Sequence, residues 1–463
     1  MDTNTKDNRR AFIRRSAVAT TGVSLGLHVL GAPAIVSAQG ANDRIRMGFI
    51  GVGNRGSQLL ENFMSNRDVD IAAFCDVYEP YLIRDRIKVH KRFLDELGER
   101  IPMMGETFPS KVDTYTDFRK VLDRKDINAV CIATPDHWHA IQAIMAMEAG
   151  KDVYVEKPLT ITIHEGRRMV EAAKRTGRVV QVGLNRRGST LYQELAARVR
   201  AGDIGKVTVA RAYHISNMYP DGIGNARQEE PPDGFDWDMW LGPRERRPFQ
   251  YNIHPYRFRW WSQYSSQMGN WGVHYLDVIR WLIGEQAPSA VTAHGGRYVL
   301  KDDRTIPDTM EVIFEFASGA VALFGIYEAS GGEVFPVRGT EVEFRGTLAN
   351  LFTNERSYRI EPSGSGQFQT RTITMKPEEK RPELAENTTG NMVRNFLDCV
   401  KSRERCWCDL EEGHRSTTFA HLANIALETG TRIEWDARNE RITNNAKAND
   451  LLHYRYRKPW TLG

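Results

Sequence analysis

The chain has 463 residues and carries 63 Lys and Arg against 59 Asp and Glu, a net charge of +4. Five basic and two acidic side chains fall in the first 38 residues, and the remaining 58 basic against 57 acidic exclude the broad basic footprint of a nucleic-acid binder. A composition of 41% hydrophobic and 26% charged residues excludes a disordered or membrane-embedded chain, and the length beyond residue 38 points to two or three domains.

Residues 8–14 read Asn-Arg-Arg-Ala-Phe-Ile-Arg, followed by a weakly apolar stretch from Ala17 to about Leu30 and the small-residue pattern Val36-Ser37-Ala38. A basic segment, a short apolar run and a small-residue site, in that order, predict a twin-arginine export signal over residues 1–38 with cleavage after Ala38. The expected location is therefore the periplasm or another exported compartment, with the twin-arginine machinery as a transient partner. The apolar run is shorter than the ~20 residues that span a bilayer, so no stable membrane span is expected.

Arg44 to Gly53 reads as an apolar strand that runs into Gly51-Val52-Gly53-Asn54-Arg55-Gly56, with an amphipathic helix from about Ser57. Gly51 suits the tight turn, Gly53 lets the backbone approach a pyrophosphate, and Gly56 lets the helix pack on the strand. The helix N-terminus then offers its N–H groups and positive dipole to the phosphates. A second strand, Val69–Cys75, ends in Asp76, 20 residues past Gly56, where an acidic side chain accepts hydrogen bonds from the adenosine ribose. Asp76 would repel a 2′-phosphate, which favours NAD, while Arg55 and nearby basic residues leave NADP open.

The alternation continues. Ile127–Ala133 is a buried-type strand ended by Thr134-Pro135, and a helix carrying Ile141, Ile144 and Met147 follows. Lys151–Val155 ends in Glu156-Lys157-Pro158, and a helix over residues 163–176 leads to Val179–Val182 and Gly183. This pattern predicts an α/β fold with an N-terminal Rossmann doubly wound parallel sheet over residues 44–185, its ligand crevice at the strand C-termini. Gly51, Asp76, Thr134, Lys157 and Asn185 belong to that edge. His137 and His139 stand two apart at a helix start and point to different faces, so no metal site is expected.

From about residue 207 the pattern changes. Val207–Ile215, Thr309–Phe316, Ala320–Tyr327 and Val337–Phe344 show strand alternation with turns between them, predicting a large, mostly antiparallel open sheet in a second α/β domain over residues 186–435. Residues 218–262 read as a long aromatic, Pro-rich loop. Helix formers over 386–402 and 411–430 are expected to return towards the first domain, leaving 436–463 as a tail. Six of the ten tryptophans (Trp237, Trp240, Trp260, Trp261, Trp271 and Trp281) lie near His274; they serve either as sugar-binding faces or as a loop core, with Asp236, Asp238, Arg257 and Arg259 available to hydroxyls. The five cysteines are read as structural, with Cys406 or Cys408 within reach of Cys399.

Together Gly51–Gly56, Ala133–His139, Ala149–Pro158, Gly183–Arg186, Asn270–Asp277 and the 409–427 helix resemble the glucose–fructose oxidoreductase / inositol dehydrogenase (Gfo/Idh/MocA) family, over about residues 44–435. The resemblance implies a nicotinamide cofactor between a Rossmann domain and an open-sheet domain that often mediates oligomers, hence a homo-oligomer, dimer or tetramer. It places Gly51, Gly53, Asn54, Arg55, Gly56, Asp76, Thr134, Pro135, His139, Glu156, Lys157 and Asn185 at the cofactor. Lys157, Arg186, Trp271, His274 and Asp277 fall on the substrate side, with Lys157 and His274 as the family's lysine and acid/base histidine. Where the family commonly has an aspartate four residues before that histidine, this chain has Asn270; an amide can orient a ring but cannot raise its basicity, and Asp277 is read as its substitute.

Three functions follow. The first is an exported NAD-dependent oxidoreductase acting on the hydroxyl or keto group of a sugar, cyclitol or sugar derivative. The second is a glycoside hydrolase or lyase that oxidises, eliminates and reduces with a retained NAD, for which His214, Tyr192 or Tyr213 would be the extra base. The third is a non-catalytic sugar-binding protein.

Overall fold

A computed structural model describes residues 44–381 and 384–462. The segment expected to be an export signal, residues 1–38, lies outside the described residues. Among the described residues no helix is long and apolar enough to cross a membrane.

The first half is a six-stranded parallel sheet in the order β3-β2-β1-β4-β5-β6, where β1 is Ile45–Ile50, β2 Val69–Cys75, β3 Asp113–Tyr115, β4 Ala129–Ile132, β5 Asp152–Val155 and β6 Val180–Val182. Every residue of β4, β5 and β6 is buried, as expected of strands covered on both faces. Helices α1 (Asn54–Met64), α2 (His139–Glu148) and α3 (Ile163–Thr176) make the crossovers. Helix α3 begins in a capping box between Thr162 and Glu165 and stops at Gly177 in the left-handed region (φ 65°), so both ends are set by sequence.

Helix α4 (Thr190–Ala201) leads to a ten-stranded sheet in the order β14-β13-β12-β11-β7-β10-β9-β8-β15-β16. Here β7 is Val207–Ile215, β8 Ala290–Gly296, β9 Thr309–Glu315, β10 Val321–Tyr327, β11 Val342–Gly346 and β12 Ala349–Thr353. The remaining strands are β13 Tyr358–Pro362, β14 Glu378–Lys380, β15 Ile433–Asp436 and β16 Arg441–Ile442. Its pairings are antiparallel except β7 with β10. The alternation of buried and part-exposed residues along β7 and β9 turns one face to a core made with helices α5 (Val273–Ile283) and α7 (Leu410–Thr429).

Helix α6 (Thr388–Ser402) returns to the first sheet, where Phe396 meets Phe63 of α1 edge-on at 6.2 Å and Arg394 pairs with Asp68 at 2.9 Å. Residues 436–462, where the sequence predicts only a tail, add β16 and continue to the first half: Tyr456 donates to Glu165 Oε1 (2.5 Å) and Trp460 packs on Trp138 at 4.7 Å. All five cysteines are buried free thiols.

Candidate active site

Two connected cavities lie along the C-terminal edge of the parallel sheet, sharing Asn54, Arg55, Arg100, Ala133, Thr134, Tyr256 and Arg259. The first, of about 880 Å3, is bounded by Gly51, Gly53, Asp76, Thr134 and Pro135. Gly51 takes φ 84°, and a Cβ there would lie 2.8 Å from the Ala133–Thr134 backbone. At Gly56 a Cβ would meet the Gly51 carbonyl oxygen at 2.1 Å, so only glycine lets α1 pack against its own entry turn. Gly53 caps α1 without a side chain, which leaves the first-turn N–H groups open to an anion. These features fit a dinucleotide.

Asp76 closes this cavity at the end of β2. Its Oδ2 accepts from Val52 N–H (2.9 Å) and its Oδ1 from Tyr78 N–H (3.1 Å), so the carboxylate also braces the glycine turn. Burial pushes it up to about 6, against the pull of those N–H donors. Because the ionised form accepts from ribose hydroxyls, NAD affinity is expected to rise as pH increases through about 6. Asp76→Ala should lower affinity by more than any accompanying loss of thermal stability. A variant that melts and binds like the parent would remove the ribose assignment.

The second cavity, of about 1260 Å3, holds Glu156, Lys157, Asn185, Arg186, Asn270, Trp271 and His274. Glu156 ties the turns together: Oε1 accepts from Arg55 Nε (2.7 Å) and Oε2 from Lys157 N–H (3.0 Å). Lys157 Nζ donates to the Asn270 carbonyl (2.8 Å) and to Asn270 Oδ1 (3.1 Å). Burial lowers Lys157 to about 8, with Glu156 and Asp136 opposing and Arg259 reinforcing. His274, on the first turn of α5, is held well below the usual imidazole value by burial and then by Lys157, Arg186 and Arg55, and its Nδ1 is unpartnered. Asn185 Oδ1 is likewise buried and unpartnered. Arg186 pairs with Glu341 (2.9 Å) and Glu355 (3.5 Å), and Trp271 stacks on His214 at 4.8 Å.

Several sequence expectations are corrected. Asn270 lies in a π-helical turn, Met268–Gly272, and its side chain addresses Lys157 and Gln267 rather than His274. Asp277 is absent from the cavity: it is buried against Arg187 (2.8 Å) and Ser416 Oγ (2.6 Å), on the side of α5 that packs on α7. His139 lines neither cavity; its Nδ1 and Nε2 lie 2.8 Å from the carbonyl oxygens of Pro158 and Thr134, joining the two strand-end turns from behind. His137 sets Nε2 against the Trp240 carbonyl (2.9 Å). Tyr192, Tyr213 and His214 all lie outside the two cavity linings; Tyr192 is fully buried and Tyr213 stacks on Tyr327, whereas His214 stacks on Trp271 of the second cavity and is the nearest of the three candidates by that contact.

The tryptophan cluster divides. Trp237 and Trp240 stack at 4.6 Å and, with Trp260 and Trp261, build the loop interior; Trp271, 36% exposed, faces the second cavity. Asp236 caps the short helix Trp237–Leu241, while Asp238 and Arg257 pair with Arg457 and Glu96. Arg259 alone of the four reaches the site. Sequence reasoning missed Arg100 and Tyr256 on the shared wall and Asp136, whose Oδ2 accepts from Ser265 Oγ. Arg100 and Tyr256 sit in no spacing that marks a cavity, and Asp136, though next to Thr134 and Pro135 in the strand-end turn, reads in sequence as a helix cap.

Fold and site thus define a two-domain protein built on an NAD-binding Rossmann domain. Residues 45–184 match the oxidoreductase-family NAD-binding Rossmann fold, residues 243–351 the GFO/IDH/MocA C-terminal domain, and residues 367–462 the oxidoreductase-family C-terminal alpha/beta domain. The chain belongs to the GFO/IDH/MocA oxidoreductase family. It is 29% identical over 226 residues to a glycosyl hydrolase family 109 protein of Shewanella baltica, covering 46% of each chain. It is 33% identical over 176 residues to a protein of the same description from another Shewanella, covering 38% of this chain and 36% of that one. The chain thus spans less than half the length of these relatives. Among solved structures, a levoglucosan dehydrogenase in complex with NADH and levoglucosan superposes with a TM-score of 0.60 at 18% identity, over 84% of this chain and 99% of that one. An aldose–aldose oxidoreductase from Caulobacter crescentus does so with a TM-score of 0.58 at 18% identity, again over 84% and 99%.

Proposed function

We propose that the protein is an exported NAD-dependent enzyme that oxidises a ring hydroxyl of a sugar, cyclitol or sugar derivative. The observation that carries this reading is Lys157 Nζ, fixed by Asn270 in the same cavity as a buried, unpartnered His274 and the exposed face of Trp271. NAD, when bound in the first cavity, would supply the hydride acceptor. His274, kept neutral by burial, takes the hydroxyl proton, and protonated Lys157 holds the substrate oxygen as negative charge develops. Trp271 offers its ring to sugar C–H groups.

The roles fix the pH dependence. Activity requires neutral His274, present above its depressed pKa, and charged Lys157, present below about 8. The rate should therefore decline as pH rises through about 8. Asn270→Asp places a carboxylate beside the ammonium and raises its pKa, so the alkaline limb of kcat/KM should move upward. A pH–rate profile superposable on the parent's would sink the Lys157 assignment.

A second reading, redox-neutral glycoside cleavage with a retained NAD, is favoured by the description of the curated relatives as glycosyl hydrolases. His214, stacked on Trp271 and lowered to about 4 by burial, is then the additional base. Purified protein incubated with a panel of glycosides separates the two: soluble NAD is reduced in the first case, and aglycone appears without net reduction in the second. Binding without either product would leave a sugar-binding protein. Export through the twin-arginine machinery belongs to the same proposal. Replacing Arg9 and Arg10 together by Lys should leave uncleaved protein in the cytoplasm, and normal processing of that variant would remove it. A homo-oligomer formed on the outer face of the large sheet, where Ile313 is exposed, completes the reading.

A further inference from the structure

The loop over residues 218–262 is stitched across the end of β2. Glu79 N–H donates to the Gly234 carbonyl (2.9 Å), Asp236 N–H donates to the Val77 carbonyl (2.8 Å), and Tyr78 pairs with Phe235. These contacts fall one to three residues after Asp76. The loop thereby supplies Trp240, His254, Pro255, Tyr256 and Phe258 to the wall of the cavity that Gly51, Gly53 and Asp76 form on the other side.

One of these wall residues is out of keeping with the rest. His254 is buried, and its ring is ringed by aromatic neighbours: Phe235 at 4.5 Å, Phe93 at 5.6 Å, Trp240 at 5.9 Å and Tyr78 at 6.5 Å. Neither Nδ1 nor Nε2 has a hydrogen-bond partner. Two buried polar atoms left unpaired are costly, and a core position among four aromatics would be better filled by Phe or Leu. The cavity beside it is where a partner would come from. Burial holds the imidazole near 3, so the ring is neutral and presents one donor and one acceptor, the pair that ribose hydroxyls and adenine ring nitrogens can match.

We propose that His254 recognises the adenosine half of the bound dinucleotide, delivered from the second half of the chain by the loop that covers the Asp76 end of the cavity. Tyr78, two residues past Asp76, lies between them: its N–H donates to Asp76 while its ring packs on His254. This rests on the NAD site and not on either reaction proposed above.

The test is binding to nucleotide-free full-length protein. ADP-ribose, NADH and nicotinamide mononucleotide are titrated by calorimetry into the parent, His254→Phe and His254→Asn, and each protein is melted without nucleotide. His254→Phe is expected to bind ADP-ribose and NADH on the order of 10- to 100-fold more weakly. It should bind nicotinamide mononucleotide as the parent does and melt at the same or a higher temperature, since it removes two unpaired nitrogens. His254→Asn, which keeps a donor and an acceptor, should recover part of the loss. ADP-ribose affinity within twofold of the parent in His254→Phe overturns the proposal, as does an equal loss for nicotinamide mononucleotide. If His254→Phe does not fold, His254→Leu carries the same readout. Because binding is read without turnover, its failure leaves the hydride-transfer reading standing, and the reverse also holds.

Discussion

Removing the His274 imidazole is expected to lower kcat/KM by ~10²–10⁴-fold, the usual contribution of a positioned acid or base. Lys157→Ala should lose at least as much, because both a charge and an oxygen-holding donor go with it. The two groups share the second cavity and neither borders the first, so NAD affinity should stay within a few-fold in both variants. They act on one substrate oxygen, and the double variant should be little worse than the poorer single. Lys157→Arg separates charge from proton transfer: a guanidinium keeps the positive charge at all working pH, so any residual activity should lose the decline near pH 8. Full turnover in His274→Ala would dismiss the histidine and move the role to His214, the other imidazole beside Trp271.

The Rossmann half was legible because its information is local. Gly51, Gly53 and Gly56 are needed by contacts within one turn, and Asp76 follows at a spacing set by one helix and one strand. Strands β7 and β10 and helix α5 were equally plain from their alternation or apolar faces. The strand expected to begin at Val337 starts instead at Val342, since Gly339 takes φ 78° and turns the chain between them. Strands β12 to β14 escaped notice: β12 is five residues long and β14, Glu378–Lys380, is wholly exposed, so neither leaves a period-2 apolar signal. The site was legible in its lysine and histidine and opaque in its walls. Tyr256 and Arg259 reach it only because the loop is pinned to β2 from across the molecule, a contact between residues more than 150 apart in sequence. The partner of Asn270 is hidden from the sequence for a related reason. Helical spacing says which residues share a face, but Lys157, arriving from β5, decides which of them is addressed.

Asp277 carries the other large expected effect, and it concerns stability. It stands three residues after His274, yet its carboxylate receives Arg187 Nε and Nη2 and Ser416 Oγ, while Glu412 receives Arg187 and Arg280, and Arg280 Nε donates to Ser416 Oγ (2.9 Å). Two guanidiniums and two carboxylates thus close a neutral buried network joining α5, the turn after Asn185 and α7. Replacing both partners of a buried pair by apolar groups is often tolerated, but removing one strands the other. Asp277→Ala leaves two buried arginines facing Glu412 alone, and a loss of ~3–5 kcal/mol is expected for a charge left without compensation. Asp277→Asn keeps the volume and one acceptor and should lose less. Below the lowered melting point, the folded fraction of either variant should show the parental KM, because the carboxylate touches neither cavity. A substrate-ligand role for Asp277 predicts the reverse, a raised KM at unchanged stability. Denaturant unfolding beside steady-state kinetics on the same preparation distinguishes them. A variant that unfolds with the parent but binds substrate poorly would return Asp277 to the active site.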